Sequence, residues 1–316
     1  MIGRHGLVLG KFLPPHAGHL YLIEHALRCV ERLTVVVGTL AREPIPGALR
    51  FAWLTELVPR ARVVHLTDEN PQDPSEHPAF WAIWKTSLQR VVPEPIDVVF
   101  ASEAYGARLA QEHGARFVPV DPGRTVVPIS GTAIRAAPLA HWQYLPPVVR
   151  AHYAKRIAIV GAESTGKSTL AAALATHYRT TLVPEYARTY LEALGRAPIA
   201  SDMPVIATNQ LASEDALARS CNRVLICDTD ARITRLWSDA LFGACDPSVE
   251  QLAGRRYDLT IATGPDVPFE PDPIRYLPAQ RAAFHARCAA FADLVVTGDR
   301  ESRLRAACAA IDQVLA

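Results

Sequence analysis

Short apolar runs alternate with longer amphipathic stretches along the whole chain. Residues 6–10, 33–38, 62–66, 97–101 and 116–120 read as strands. Helices are expected between them, the first opening after 11–19 and running to about 29, then 49–57, 79–91 and 103–113. After a seam over 138–155 with a Pro146-Pro147 pair, the alternation begins again. Its strands are expected at 157–160, 181–184, 223–228, 259–263 and 294–297, with helices over 170–178 and 299–315. Near-continuous apolar strands separated by helices imply parallel sheets covered on both faces. The predicted fold class is α/β, with two doubly wound parallel-sheet domains at 1–150 and 155–316. In such sheets ligands bind beyond the C-terminal ends of the strands, near the point where strand order reverses.

A length of 316 residues suits two domains, and 49% hydrophobic with 21% charged residues describes a globular chain. The net charge of +1 argues against bulk binding to DNA or to a membrane surface. No apolar run approaches the roughly 20 residues that span a bilayer. The chain enters a strand with no signal-peptide pattern, so a cytoplasmic protein is expected. Cysteines at 29, 221, 227, 245, 288 and 308 form no C-x-x-C pair, which disfavours a zinc site and suits reduced thiols. Of 33 basic residues only Lys11, Lys85, Lys155 and Lys167 are lysine. Two of these lie in phosphate-type motifs, where a compact ammonium is not replaceable by a planar guanidinium.

The strand at 157–160 runs into G-A-E-S-T-G-K-S-T-L. Gly161, Gly166, Lys167 and Ser168 fit G-x-x-x-x-G-K-[ST], in the strand–loop–helix setting that this motif requires. Backbone N–H groups of Glu163, Ser164, Thr165 and Thr169 complete an expected cradle for ATP phosphates at a helix N-terminus. Lys167 would reach the β- and γ-phosphates, and Ser168 would hold Mg²⁺. The apolar strand ending at Asp228 supplies a second Mg²⁺ candidate, and Asp230 stands next to it as a candidate for substrate contact. Five parallel strands with a glycine loop after the first describe a P-loop kinase core. In Pro184-Glu185-Tyr186-Ala187-Arg188, Glu185 is a candidate general base and Arg188 a substrate or phosphate contact. The competing reading is a helix start with an i,i+3 ion pair. Two Arg-bearing segments, 254–256 and 264–275, compete as lids, with Arg275 a candidate substrate contact.

Near the N-terminus, G-K-F-L-P-P-H-A-G-H spans Gly10 to His19. The pair His16 and His19 is open to three readings: metal ligands, a chance helix face, or a phosphate clamp. Metal is disfavoured because no third ligand lies nearby in sequence. The run resembles the signature of the HIGH-type nucleotidyltransferases, and Pro128-Ile129-Ser130-Gly131-Thr132-Ala133-Ile134-Arg135 matches a second signature of that superfamily, I-S-x-T-x-I-R. The resemblance implies a Rossmann-like domain in which His16 and His19 hydrogen-bond the α- and β-phosphates of ATP. It assigns Lys11 and Arg135 to catalysis, and Gly10, Phe12, Gly18, Ser130 and Thr132 to the nucleotide. Residues 99–106 lie at a strand end and are expected to touch the nucleotide or close the site. Phe80, Trp81 and Trp84 are either core residues at helical spacing or, through Trp81 and Trp84, a stacking platform for a flat ring such as nicotinamide.

With P-E-Y-A-R, L-I-C-D-T-D and P-D-V-P-F-x-x-D-x-x-R, nearly the whole chain is similar to the bifunctional NadR proteins. The resemblance implies a kinase that phosphorylates nicotinamide riboside to NMN, followed by an adenylyltransferase that joins NMN to the AMP part of ATP, releasing pyrophosphate. ATP and Mg²⁺ are the implied cofactors, and a homo-oligomer stays open. Two departures stand out. The helix-turn-helix of the enterobacterial members is absent, so DNA binding is not expected. The lid reads Asp272-Pro273-Ile274-Arg275, where members often carry D-G-x-R. Two other readings remain open here: a transferase–kinase fusion acting on another small metabolite, and an ATP-dependent regulator with weak catalysis.

Overall fold

The computed structural model describes residues 1–271 and 278–316. It divides into two units, Met1–Val149 and Arg150–Ala316.

In the first unit, β1 (Gly3–Gly10), α1 (Ala17–Cys29), β2 (Val30–Gly38), α2 (Gly47–Leu57), β3 (Arg62–Leu66), α3 (Phe80–Val91), β4 (Val98–Ala101), α4 (Tyr105–His113) and β5 (Arg116–Pro119) alternate, followed by α5 (Gly131–Ala136). The strands form one parallel sheet in the order β3-β2-β1-β4-β5. Successive residues of β1 enter opposite layers. Val8 packs with Ile23 of α1 and Leu54 of α2, whereas Leu7 packs with Leu88 of α3 and Leu109 of α4. A strand buried on both faces needs this continuous apolar run. Chain order reverses between β1 and β4, so the loops after these strands converge at one edge.

Helix α6 (Pro147–Tyr153) carries the chain across the unit boundary. The second unit contains β6 (Lys155–Val160), α7 (Lys167–Tyr178), β7 (Leu182–Val183), α8 (Tyr186–Leu194), α9 (Asp202–Leu217), β8 (Val224–Asp228), α10 (Ala231–Phe242), α11 (Pro247–Ala253), β9 (Leu259–Thr263), α12 (Arg281–Ala289), β10 (Leu294–Val296) and α13 (Arg300–Leu315). Its parallel sheet runs β10-β9-β6-β8-β7. Helices α7 and α13 cover Ile157 and Ile159, while α10 and α12 cover Ala158 and Val160. A satellite core of Met203, Ile206, Ala207, Leu211, Ala231 and Val249 joins α9, α10 and α11.

Helix α5 begins at Gly131 and contains Arg135, because Ser130 caps it by accepting from Ala133 N at 3.1 Å. Pro147 opens α6, where its missing N–H costs nothing, and Lys155 already belongs to β6. Among the described residues, no helix is long and apolar enough to cross a membrane.

Among the described residues the largest side chain that is fully buried is Arg50 of α2. Its guanidinium donates to the carbonyls of Lys11 (2.5 Å) and Ile45 (3.1 Å) and to the Glu43 carboxylate. It thereby fastens the loops that leave β1 and β2. Replacing it with a non-donor strands Glu43 and the Lys11 carbonyl. Arg50→Met is expected to lower the stability of the first unit by about 3–5 kcal/mol, the usual size for breaking a buried charge pair. Hydrogen exchange checks this: protection in β1 and α2 should fall while β6 and α7 keep theirs.

Candidate active sites

In the second unit the loop after β6 needs glycine at its first turn. Gly161 has φ +149, and a Cβ there would lie 2.6 Å from Thr263 Oγ1. The loop is closed from within. Thr165 Oγ1 donates to the Ala162 carbonyl at 2.8 Å and meets Thr263 Oγ1 at 2.7 Å, and Lys167 Nζ donates to the Ala162 carbonyl at 3.0 Å. It is also clamped from outside by two arginines. Arg281 of α12 donates to the carbonyls of Glu163 (3.1 Å), Ser164 (2.8 Å) and Val267 (2.8 Å). Arg303 of α13, 5% exposed, donates to the carbonyls of Thr165 (2.6 Å), Gly264 (3.1 Å) and Gly298 (2.9 Å), and to Asp266 (2.5 Å). With their carbonyls held from behind, the loop's N–H groups are left to face a ligand.

This loop forms one wall of a cavity of about 630 Å³. Glu163 to Thr169, Glu185 and Arg188 line it, and Leu191, Met203, Ile206, Trp237 and Leu241 form an apolar compartment. Glu185 follows β7 and is the N-cap residue of α8, while Arg188, one turn on, pairs with Glu192 at 3.3 Å. Asp228 does not line the cavity. It lies buried beneath Ser168 at the end of β8, and burial together with the neighbouring Glu185 carboxylate pushes it up to about 6, against a hydrogen bond from Ser168 and the charge of Lys167. Its Oδ1 is buried with no hydrogen-bond partner among the described residues.

In the first unit, a cavity of about 650 Å³ opens at the switch point between β1 and β4. Gly10, Lys11, Phe12, His16, Gly18, His19, Trp81, Trp84, Ser130, Thr132 and Arg135 all line it. His16 caps α1: its Nδ1 accepts from Gly18 N at 3.1 Å, which places the proton of the neutral ring on Nε2. Its ring stacks on His19 with centroids 3.7 Å apart, and Phe12 meets His19 edge-on at 4.9 Å. Burial, then the charge of Arg124, lowers His16 to about 4, and burial, with the neighbouring His16 and Arg124, holds His19 well below the ordinary imidazole range. Both rings are therefore uncharged near neutral pH. The two sequence signatures meet through backbone. Arg135 donates to the Leu13 carbonyl at 2.6 Å and to Thr132 Oγ1 at 3.2 Å, and a Cβ on Gly131 would stand 2.7 Å from the same carbonyl. Ser102, Glu103 and Tyr105 complete the rim, the Tyr105 hydroxyl donating to the Leu9 carbonyl at 2.5 Å.

Three expectations need correcting or bounding. Asp230, expected at the substrate, is fully buried. Its Oδ1 caps α10 by accepting from Arg232 N at 2.8 Å, and its Oδ2 is bound by the Arg232 guanidinium (Nε at 2.9 Å), so both oxygens are spent on structure. An Asp just before an amphipathic helix is itself a cap signal. Arg255, from one of the two lid candidates, is tied to the buried Glu214 (3.1 Å) and to Asp215 (2.8 Å), whereas Val267, Pro268 and Glu270 of the other candidate reach the cavity. Arg275 lies outside the described residues. Trp81 and Trp84 pack against a core cluster, as one of their two readings had it, and they also line the cavity. The sequence reading missed Arg50, Arg124, Arg281, Arg303 and Trp237, none of which sits in a local motif.

A doubly wound unit with paired neutral histidines at its switch point, joined to a second with a braced phosphate loop, defines a two-site nucleotide-handling enzyme of the α/β class. The AAA domain family model matches residues 156–294. The trifunctional NAD biosynthesis/regulator protein NadR of Escherichia coli (strain K12) is 32% identical over 295 residues, covering 86% of this chain and 72% of that protein. The chain belongs to the NadR family. The nicotinamide-nucleotide adenylyltransferase of Thermococcus sibiricus is 28% identical over 166 residues, 48% of this chain and 83% of that protein. A crystal structure of NadR protein in complex with NR shares the fold, with a TM-score of 0.80 at 24% identity over 99% of this chain and 96% of that one.

His16 gives a pH test. Its folded value of about 4 lies below the ordinary 6.5, so between these the unfolded chain holds a proton that the folded chain does not. Stability should therefore fall as pH drops from about 6.5 to about 4, by up to about 3 kcal/mol from this group. His16→Asn keeps a capping acceptor and cannot titrate. Urea unfolding of the first unit at pH 7 and 4.5 should show a smaller acid loss in this variant, and an identical loss would refute the assignment.

Proposed function

We propose that the chain makes NAD in two ATP-dependent steps, as the names of its relatives suggest. In this reading residues 155–316 phosphorylate nicotinamide riboside at its 5′-hydroxyl, giving NMN. Residues 1–150 then join NMN to the AMP part of a second ATP and release pyrophosphate. The observation that carries the reading is the pairing of two sites: a phosphate loop facing an apolar compartment across Glu185 and Arg188, and a separate cavity where the two histidines meet Ser130, Thr132 and Arg135. The free cysteines suit a reducing compartment, and the proposal places the reaction in the cytoplasm.

For the kinase step, the apolar compartment around Met203, Ile206, Trp237 and Leu241 would seat the flat base, with the acceptor hydroxyl between Glu185 and the phosphate loop. Glu185 takes the hydroxyl proton, and Arg188 holds the acceptor or the transferred phosphate. Lys167 exchanges the Ala162 carbonyl for phosphate oxygens. Mg²⁺ fits the residues present, since Asp228 keeps one buried oxygen without a partner next to the Ser168 hydroxyl. Ser168 and Asp228 would hold the ion, which when bound neutralises charge on the phosphates.

For the transfer step, the NMN phosphate attacks the α-phosphorus of ATP, and negative charge builds on the oxygens around it. His16, through Nε2–H, and His19 donate to those oxygens as neutral groups already fixed in place, so little reorganisation is needed. Lys11 and Arg135 supply positive charge beside them, and Trp81 and Trp84 offer a face for the nicotinamide ring.

The purified protein given only nicotinamide riboside and ATP should yield NAD, identified by mass. Lys167→Ala should abolish NMN formation and spare adenylylation of supplied NMN. His19→Ala should do the reverse, lowering the transfer kcat by about 10²–10³-fold, as loss of one such donor does, so that NMN accumulates. Wild-type NAD production by the His19 variant would make the histidine pair a helix start only.

Glu185→Gln tests the base, with an expected loss of about 10²-fold in kinase kcat and ATP affinity retained. A larger loss in Asp228→Asn with none in Glu185→Gln would move the base to Asp228.

A further inference from the structure

Arg124 lies in the segment between β5 and α5, outside both sequence signatures. Asp121 folds this segment about its own carboxylate, which accepts from Thr125 N at 2.7 Å and Val127 N at 3.1 Å. Arg124 itself has φ +50, a left-handed conformation that a bulky residue adopts only when its surroundings impose it. From this turn its side chain lines the first unit's cavity, close enough for its charge to act on both His16 and His19.

The cations of this cavity differ in what they hold. Lys11 pairs at 3.3 Å with Glu43, whose side chain is 7% exposed, and Arg135 is fixed on the Leu13 carbonyl. Arg124 instead pairs at 2.5 Å with Glu103 on the rim, the two side chains being 46% and 57% exposed. An exposed pair of this kind is weak, so it separates at little cost when a better anion arrives. Phosphate is that anion, because a guanidinium fork matches two of its oxygens and the histidines offer donors without charge.

We propose that Arg124 is a phosphate-binding residue of the transfer site, and that it leaves Glu103 to take two oxygens of a substrate phosphate. This rests on the adenylyl-transfer reading of the first unit. The phosphate belongs either to the mononucleotide or to the triphosphate. Glu103 is the counter-ion that parks the guanidinium between turnovers.

Steady-state transfer by the full chain, with NMN and ATP varied in turn, tests this. Arg124→Ala should raise one KM by about tenfold to a hundredfold, the usual effect of losing a charge-assisted hydrogen bond. A shift in the NMN KM assigns the contact to the mononucleotide, and a shift in the ATP KM assigns it to the triphosphate. Arg124→Lys should recover part of the loss, and Glu103→Gln should lower the same KM severalfold by freeing the guanidinium. A pair that only holds the loop predicts the opposite for Glu103→Gln, which would then weaken binding and overturn the proposal. Both KM values within twofold of wild type in Arg124→Ala overturn it as well.

Calorimetric binding of NMN and of pyrophosphate, measured in a Lys167→Ala background that weakens the second phosphate loop, reads the contact without turnover. Tenfold weaker binding of either probe by Arg124→Ala supports the proposal even if no NAD forms, which would overturn only the transfer reading. Equal affinities, or no binding by the parent chain, overturn the proposal.

Discussion

Backbone carbonyls at the strand ends of a parallel sheet must be satisfied before the loops there can present N–H groups to a ligand. In this chain buried guanidinium groups meet that demand. Arg50 takes the Lys11 and Ile45 carbonyls in one unit, and Arg303 takes those of Thr165, Gly264 and Gly298 in the other. A buried carbonyl left alone costs about 1–3 kcal/mol, so a side chain with five donors in a rigid fork stabilises several loops at once. Each clamp is also neutralised locally, by Glu43 and by Asp266. Loop geometry in both sites follows from these clamps. The glycines only make the required turns sterically possible.

On the proposed reading the two sites meet phosphate with different electrostatics. The first unit lines its switch point with imidazoles that burial keeps neutral, adding charge from lysine and arginine at the edges. Neutral donors do not repel one another, which lets His16 and His19 stack at 3.7 Å. The second unit puts a lysine inside the loop and a buried carboxylate behind it, an arrangement that suits a cation between carboxylate and phosphate.

What could be read from the sequence was whatever is local. The strands were visible because each is an apolar run bounded by turns, and β3 and β9 were bounded correctly at both ends. The phosphate loop, the His16–His19 pair and the 128–135 signature were visible because their chemistry lies within a few residues. Helix α9 was not placed, because its inward stripe includes Asp202, Gln210 and Glu214, which read as polar until the partners that satisfy them are known. Gln210 Oε1 accepts from Tyr186 N at 2.9 Å, and Glu214 is met by Arg255 at 3.1 Å and Tyr257 at 2.8 Å. The clamping arginines were hidden for a related reason. In an arginine-rich chain a helix arginine looks like surface, and only tertiary contact shows that Arg303 reaches across to Thr165. Asp230 was misread the other way, its capping signal overshadowed by the strand end beside it.

On the proposed reading His16 uses its two nitrogens for two separate purposes, Nδ1 to start a helix and Nε2–H to donate to a phosphate in the cavity that the residue lines. An asparagine amide reaches about as far as the first nitrogen, and a glutamine amide about as far as the second, but neither spans both. The position is therefore a narrow point in sequence space. A drifting lineage that loses this histidine loses the helix start or the cavity donor, and no single substitution by another neutral side chain restores both. Selection on the fold and selection on the chemistry here act on the same five-membered ring.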